Sequence, residues 1–140
     1  MEVVVHLPGE PRGKGRPRFS PRTGTAYTDA ATRRFERALA GAAVKAMAGR
    51  GMIDGPLFVS VVARFGIPAS WPKWKRAEAA KGALLPTVTP DADNLLKTLD
   101  ALNGVVFADD KQIVTAIVRK EYGEPGLTIF VGPAAEARAA

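Results

Sequence analysis

The spacing of apolar positions changes along this chain, and each change marks an element. Residues 2–7 alternate weakly and are rich in Val, which predicts a strand. Across residues 30–49, Phe35, Leu39, Ala42, Ala43, Ala46 and Met47 recur at helical spacing. Thr28 or Asp29 can cap that helix by accepting its orphan amide hydrogens, and Gly49-Arg50-Gly51 ends it. Arg33, Arg34 and Arg37 fall mostly off the apolar face and read as a solvated side. Residues 56–67, PLFVSVVARFGI, are a continuous apolar run, which predicts a central strand covered on both faces. Residues 68–90 have poor periodicity, with a short helix fitting residues 75–81. Leu95, Leu96, Leu99 and Leu102 stripe a further helix over residues 93–103. Residues 111–122 read as a long strand and residues 127–131 as its partner, joined by the turn Tyr122-Gly123-Glu124-Pro125-Gly126. The order strand, helix, strand, helix, strand, strand predicts an α+β fold, a mixed β-sheet with two main helices packed on it. One small domain over residues 1–132 is expected, with the alanine-rich residues 133–140 a frayed tail.

Composition narrows the chemistry. The 140 residues suit one domain with its own core, and the absence of cysteine excludes disulfides, thiolate zinc sites and a Cys nucleophile. His6 is the lone histidine and sits in an apolar run, where a place on a strand face outweighs a ligand role. No apolar run approaches the roughly 20 residues of a membrane span, and the N-terminus lacks a signal peptide's pattern, so a soluble, cytoplasmic protein with no membrane partner is expected. The net charge of +6 is divided unevenly. Residues 1–82 hold 15 Lys or Arg against 6 Asp or Glu, and residues 83–140 hold 5 against 8. That asymmetry makes nucleic acid the leading partner class.

Two segments carry the cations. Residues 7–22, LPGEPRGKGRPRFSPR, hold Arg12, Lys14, Arg16, Arg18 and Arg22 in a Pro- and Gly-rich loop. Glycines let the backbone approach a phosphate, guanidinium forks grip it, and the prolines limit the entropy lost on ordering. Phosphate contact is favoured there over a solvated basic loop, and Phe19 is suited to stacking on a base. The glycine-lysine pattern of a nucleotide phosphate loop is absent, so no nucleotide cofactor is expected. The second segment interleaves Lys73, Lys75 and Arg76 with Trp71 and Trp74; the aromatics suit a nucleic-acid edge or core packing equally. Lys14, Arg16, Arg18, Lys73, Lys75 and Arg76 are the candidate DNA contacts.

Against this basic background, residues 90–114, PDADNLLKTLDALNGVVFADDKQIV, hold five of the 14 acidic residues. Asp93, Lys97 and Asp100 fall in one polar sector of the expected helix. Asp91, behind Pro90, stands at the helix mouth, turning to the same site or capping the helix. The chain returns after Asn103-Gly104 and can bring Asp110 near Asp91 and Asp93. Phosphodiester hydrolysis needs an activated water and neutralisation of charge developing on phosphate oxygens. A hard divalent cation on carboxylates supplies both, and a nearby lysine can assist. Lys97 is placed for that role or pairs simply with Asp93. Asp109-Asp110 alone reads as a turn, and Asp100 as a partner of Lys97. The combination is more specific than any pair within it.

That combination resembles the RusA family of Holliday-junction resolvases, small endonucleases common on prophages. GKGRPRF with Tyr27-Thr28, and Ser70-Trp71 before the acidic motif, are similar to the same family. The resemblance covers all but about the last eight residues. It implies a homodimer that cuts branched DNA, a four-way junction, symmetrically with Mg²⁺, Mn²⁺ substituting. It also implies that Asp91, Asp93 and Asp110 ligate the metal and that Lys97 assists, these four forming the catalytic set. Asp100 and Asp109 fit the pattern in supporting roles. The alternative is a non-catalytic DNA-binding module of a degenerate nuclease, which has no need of three carboxylates beside phosphates.

Overall fold

The computed structural model describes residues 1–13, 18–27 and 29–134. In chain order these form β1 (Val3–Pro8), β2 (Arg18–Phe19), β3 (Ala26–Tyr27), α1 (Ala30–Met47), β4 (Leu57–Phe65), α2 (Lys73–Ala80), α3 (Ala92–Lys97), β5 (Ile113–Tyr122) and β6 (Gly126–Pro133). Among the described residues the main sheet has four strands in the order β1-β6-β4-β5, and β2 and β3 form a separate small hairpin. β6 runs antiparallel to β1 and β4, whereas β4 and β5 are parallel. The sheet is therefore mixed and the fold α+β, as the order of elements predicts. No helix of the described residues is long and apolar enough to cross a membrane.

The central strand corrects two expectations. β5 and β6 are joined by a tight turn but are not paired with each other, because β4 lies between them. The turn steps over one strand, about 10 Å from β5 to β6, and Gly123 N donates to Phe65 O at 2.9 Å to hold it there. Nor is β4 covered on both faces. Leu57, Val59, Val61, Ala63 and Phe65 are buried, while the residues between them are half-exposed. Strand alternation sends these two sets to opposite sides, and the packed side is where α1 and α3 lie.

That packed side is the core. Val3 and Val5 of β1 and Leu127, Ile129 and Val131 of β6 join Leu39, Ala43 and Met47 of α1 with Leu95, Leu99, Leu102, Val106 and Phe107. The α1 face is the one its sequence spacing predicts. Asp29, not a residue further back, is its cap: Oδ1 accepts Thr32 N at 2.7 Å. The helix stops at Met47, earlier than its pattern, because Ala48 takes a left-handed conformation at φ 51° ahead of Gly49.

A parallel pair needs a long crossover. Here the crossover from β4 to β5 consists of α2, α3 and the acidic segment, so the fold itself returns that segment to the head of β5. Pro133 belongs to β6, and Ala134 N donates to Pro56 O at 3.0 Å. The rest of the expected tail lies outside the described residues.

Candidate metal centre and nucleic-acid interface

The acidic segment is built from three local devices. Asp91 caps α3, its Oδ1 accepting Asn94 N at 2.8 Å. Of the two roles open to Asp91 in sequence, capping is the one its geometry displays. Asp93 lies one turn before Lys97, and Lys97 Nζ stands 3.2 Å from Asp93 Oδ2 with half of its side chain exposed. Thr98 Oγ1 then donates to Leu95 O at 2.6 Å, and the helix tightens into a 3₁₀ helix over Thr98–Leu102. Three residues per turn place Asp100 directly over Lys97. Asp93, Lys97 and Asp100 thus keep one sector, but a 3₁₀ rise of about 2 Å per residue carries Asp100 further from Asp93 along the axis.

The third device is the turn before β5. Asp109 caps the 3₁₀ helix Asp110–Gln112, its Oδ1 accepting Lys111 N at 2.8 Å. Gln112 completes a reciprocal cap: Oε1 accepts Ala108 N at 3.0 Å and Asp109 N at 3.2 Å. Its Nε2 donates to Ile53 O and Gly55 O, both at 3.1 Å, which pins the turn to the chain entering β4. Gln112 went unnoticed in the sequence; the available signal was its place three residues after an Asp cap. β5 opens with a bulge, the register against β4 stepping from Leu57↔Ile113 to Phe58↔Thr115 and leaving Val114 unpaired. Bulges cluster beside active sites because they re-aim the chain.

Asp109 and Asp110 are adjacent but their acidities move apart. The Lys111 amide hydrogen holds Asp109 below the ordinary carboxylate range. Asp110 is pushed up, first by a shared hydrogen bond with Asp100, then by burial and by Asp109. The partner that the fold gives Asp110 is therefore Asp100. The reason is direction: α3 and its 3₁₀ extension lead back toward the head of β5, so the end of that path, not its start, meets the residues just before the strand. Among the described residues no three His, Cys, Asp or Glu side chains form a group that could hold a metal ion. The donor chemistry nonetheless fits a hard divalent cation. Crowded carboxylates that raise one another's proton affinity offer only oxygens and gain from a positive charge.

The basic elements flank this segment. An ideal Cβ on Gly13 would come within 2.7 Å of Asn94 Cβ and 2.8 Å of Pro90 Cβ. The glycine lets the basic loop pass tight against the mouth of α3. Arg12 Nη2 lies 3.7 Å from Asp29 Oδ2, tying the loop to the cap of α1. Lys14 and Arg16, and the side chain of Arg18, lie outside the described residues, as does Thr28. Phe19 is 72% exposed at the hairpin. On the second segment the two tryptophans divide. Trp71 packs edge-on to Tyr122 with centroids 5.4 Å apart, Lys75 Nζ sits 4.1 Å over its ring, and Arg76 Nε donates to its carbonyl. Trp74 is 68% exposed. Lys73 and Arg76 line a shallow groove with Ile67, Ala69, Ala77 and Ala80. This cluster stands by Tyr122, the far end of β5 from Asp110, about 30 Å away at 3.3 Å per residue. Lys120 Nζ donates to Val88 O, fastening the approach to α3 onto β5 between them.

The uncharacterized protein YqaN of Bacillus subtilis (strain 168) is 36% identical over 120 residues, spanning 83% of this chain and 84% of that protein. The family described as Endodeoxyribonuclease RusA matches residues 8–132, which takes in the basic loop, the crossover and the whole acidic segment. With that match over nearly its full length, the chain belongs to the RusA family of endodeoxyribonucleases.

Proposed function

We propose that this protein is a Mg²⁺-dependent, structure-selective endodeoxyribonuclease of the cytoplasm. It resolves four-way DNA junctions as a homodimer, in recombination and repair. The observation that carries the reading is the crowding of Asp110 against Asp100 and Asp109 at the end of the crossover, inside the matched family region. Asp91 and Asp93 from the mouth of α3 and Asp110 from the turn before β5 would be drawn together by the metal, a group they do not form without it, with Asp100 beside Asp110 supporting it. The bound cation, Mg²⁺ or Mn²⁺, would supply a water of lowered pKa and a counter-charge for the phosphate.

The chain's own residues do the rest. Lys97, half exposed and 3.2 Å from Asp93, swings from that carboxylate to a phosphate oxygen and steadies the charge that develops there. Asp109 and Gln112 hold the turn that aims Asp110. The basic loop, with Lys14, Arg16 and Arg18, and the Lys73, Lys75 and Arg76 cluster bind backbone phosphates. Phosphate contacts carry shape and not sequence, so binding is steeply salt-dependent.

The test is cleavage of a synthetic four-way junction with Mg²⁺ or Mn²⁺, against plain duplex of the same sequence. Wild type should nick the junction far faster, and Asp93→Asn should lose at least 100-fold in rate while binding the junction as tightly. A wild type that binds the junction and leaves it intact with either metal would instead be a DNA-binding module.

A further inference from the structure

The main sheet has two edges, β1 and β5, and they are guarded differently. β5 opens on the bulge at Val114 and carries Arg119, Lys120 and Glu121. Bulges and charges of that kind keep an edge strand from pairing with other chains. β1, VVVHLP, has no bulge and no Lys, Arg, Asp or Glu, only Pro8 at its end. Register assigns its main-chain groups. Gly9 N donates to Pro125 O at 3.1 Å, continuing the ladder in which Leu7 faces Leu127 and Val5 faces Ile129. Hydrogen-bonded residues alternate in an antiparallel pair, so Val3, Val5 and Leu7 turn their amides and carbonyls to β6. Those of Glu2, Val4 and His6, and the Pro8 carbonyl, turn outward. Arg50 Nη1 donates to Glu2 O at 3.4 Å, as that assignment requires. Among the described residues no main-chain group bonds to Val4 or His6 from the open side. Beside this edge runs a groove of about 650 Å³, with Leu7 and Pro8 on one wall and Ala38, Gly41, Ala42 and Lys45 of α1 on the other. An ideal Cβ on Gly41 meets no atom within 4 Å, so the groove is open there. Helical spacing puts Arg34, Ala38, Gly41 and Lys45 in one row with a cation at each end. α1 holds Arg33, Arg34, Arg37 and Lys45 against the single acid Glu36.

We propose that this edge and groove dock an extended acidic segment of a partner protein, which adds to the sheet outside β1. The site goes beyond the nuclease activity and does not rest on it. Val4 and His6 each offer an N–H and a C=O to the added strand, the ladder that strand addition uses for affinity. Val3 and Val5 point into the core, so the added residues across from Val3, Val5 and Leu7 turn to the same side, toward α1. The middle one enters the groove over Gly41, where an aliphatic side chain of modest size fits. The outer two lie about 14 Å apart, against about 16 Å between Arg34 and Lys45 along the helix, and carry carboxylates to them. The main-chain ladder selects polypeptide over DNA, which has no alternating amides and carbonyls to pair. Charge selects an acidic one, because a second copy of this chain would bring a net charge of +6 to a basic helix. β1 and β5 are the outermost strands of the sheet, about 14 Å apart, so the docked segment leaves the acidic stretch before β5 open.

Amide hydrogen exchange of the full chain, read by NMR with the capped peptide acetyl-TDTVTDT-amide at millimolar concentration, tests this. Without peptide, the Val4 and His6 amides should exchange roughly 100-fold faster than those of Val5 and Leu7. With it, Val4 and His6 should slow by roughly tenfold. The peptide acetyl-TKTVTKT-amide should leave them unchanged. Gly41→Leu, whose side chain projects into the open groove, should keep the wild-type circular dichroism spectrum and lose the protection. Lys45→Glu, on the exposed rim, should weaken the acidic peptide by roughly fivefold. Slow exchange at Val4 and His6 in the free protein would mean that the edge is already covered, by a second copy or by this chain, and overturns the proposal. An acidic peptide that gives no protection overturns it too, as does equal protection by the lysine peptide. So does protection that survives both Gly41→Leu and Lys45→Glu. Displacement of the peptide by four-way junction DNA would assign the groove to DNA and overturn it as well.

Discussion

The two sides of the β-sheet share one backbone and diverge in everything else. On one side every second residue of β4 is buried and the helices lie across it. The acidic segment is part of that cover, so the stretch that carries the candidate metal centre also closes the core. Leu95, Leu99 and Leu102 sit in the core while Asp93, Lys97 and Asp100 between them face outward. On the other side nothing among the described residues lies above Val4 or Ile117. The comparison teaches that burial in this fold tracks which layer the crossover supplies, and not how apolar a strand is. β4 is apolar on both sides and packed on one.

Isoleucines on the two sides give the largest contrast. Ile129, fully buried on β6, and Ile117, half-exposed on β5, are the same residue in the same sheet. Ile129→Ala should cost about 2–5 kcal/mol of stability through the cavity it leaves. Ile117→Ala should cost roughly 0.5 kcal/mol or less in the monomer, as an open-surface change does. Denaturant melts below the dimer dissociation range measure both, and equal losses would erase the distinction between the sides.

A smaller break concerns how the cover grips the basic loop. Gly13→Ala places a methyl group against Asn94 and Pro90, so loop and α3 mouth must separate by several tenths of an ångström. Junction affinity should fall several-fold, and cleavage with it, while Gly9→Ala tests the ordinary cost of a loop alanine where no atom lies within 4 Å but φ is +107°. Fluorescence anisotropy with a labelled junction reads the difference. A Gly13→Ala protein that binds like wild type would remove the loop from the site.

The smallest effects separate the neighbours Asp109 and Asp110. Asp110 has a raised pKa in the folded state, so between its unfolded and folded values the folded chain holds more protons, and stability falls as pH rises through that window. Asp110→Asn should therefore raise the melting temperature slightly at neutral pH, with the gain vanishing as pH falls toward the ordinary aspartate value of 3.8. Asp109 has the opposite shift. Its contribution is present above the unfolded value and lost as pH falls through the folded one, so Asp109→Ala should lower the melting temperature at neutral pH and matter less in acid. Addition of Mg²⁺ should raise the wild-type melting temperature and do so less for Asp110→Asn. Thermal melts from pH 3 to pH 8 check the signs.

Much of this was legible in the chain, where local physics decides. The α1 face from Phe35 to Met47, its cap at Asp29, and the sector shared by Asp93, Lys97 and Asp100 follow from repeat angles that hold wherever the helix sits. The acidic motif was enough for the family, because its spacing is unusual whatever the fold around it. Other features depend on which elements meet. The strand order that inserts β4 between β5 and β6 is a long-range pairing that no turn sequence encodes. Asp100 becomes the partner of Asp110 because of the direction in which the crossover returns, and Gly13 owes its role to a neighbour about 80 residues away in sequence. The bare side of the sheet is the clearest case. Its apolar residues stand in the sequence exactly as those of the packed side do, and only the tertiary structure decides which of them the helices cover, since a strand offers both faces and a single crossover layer can fill one.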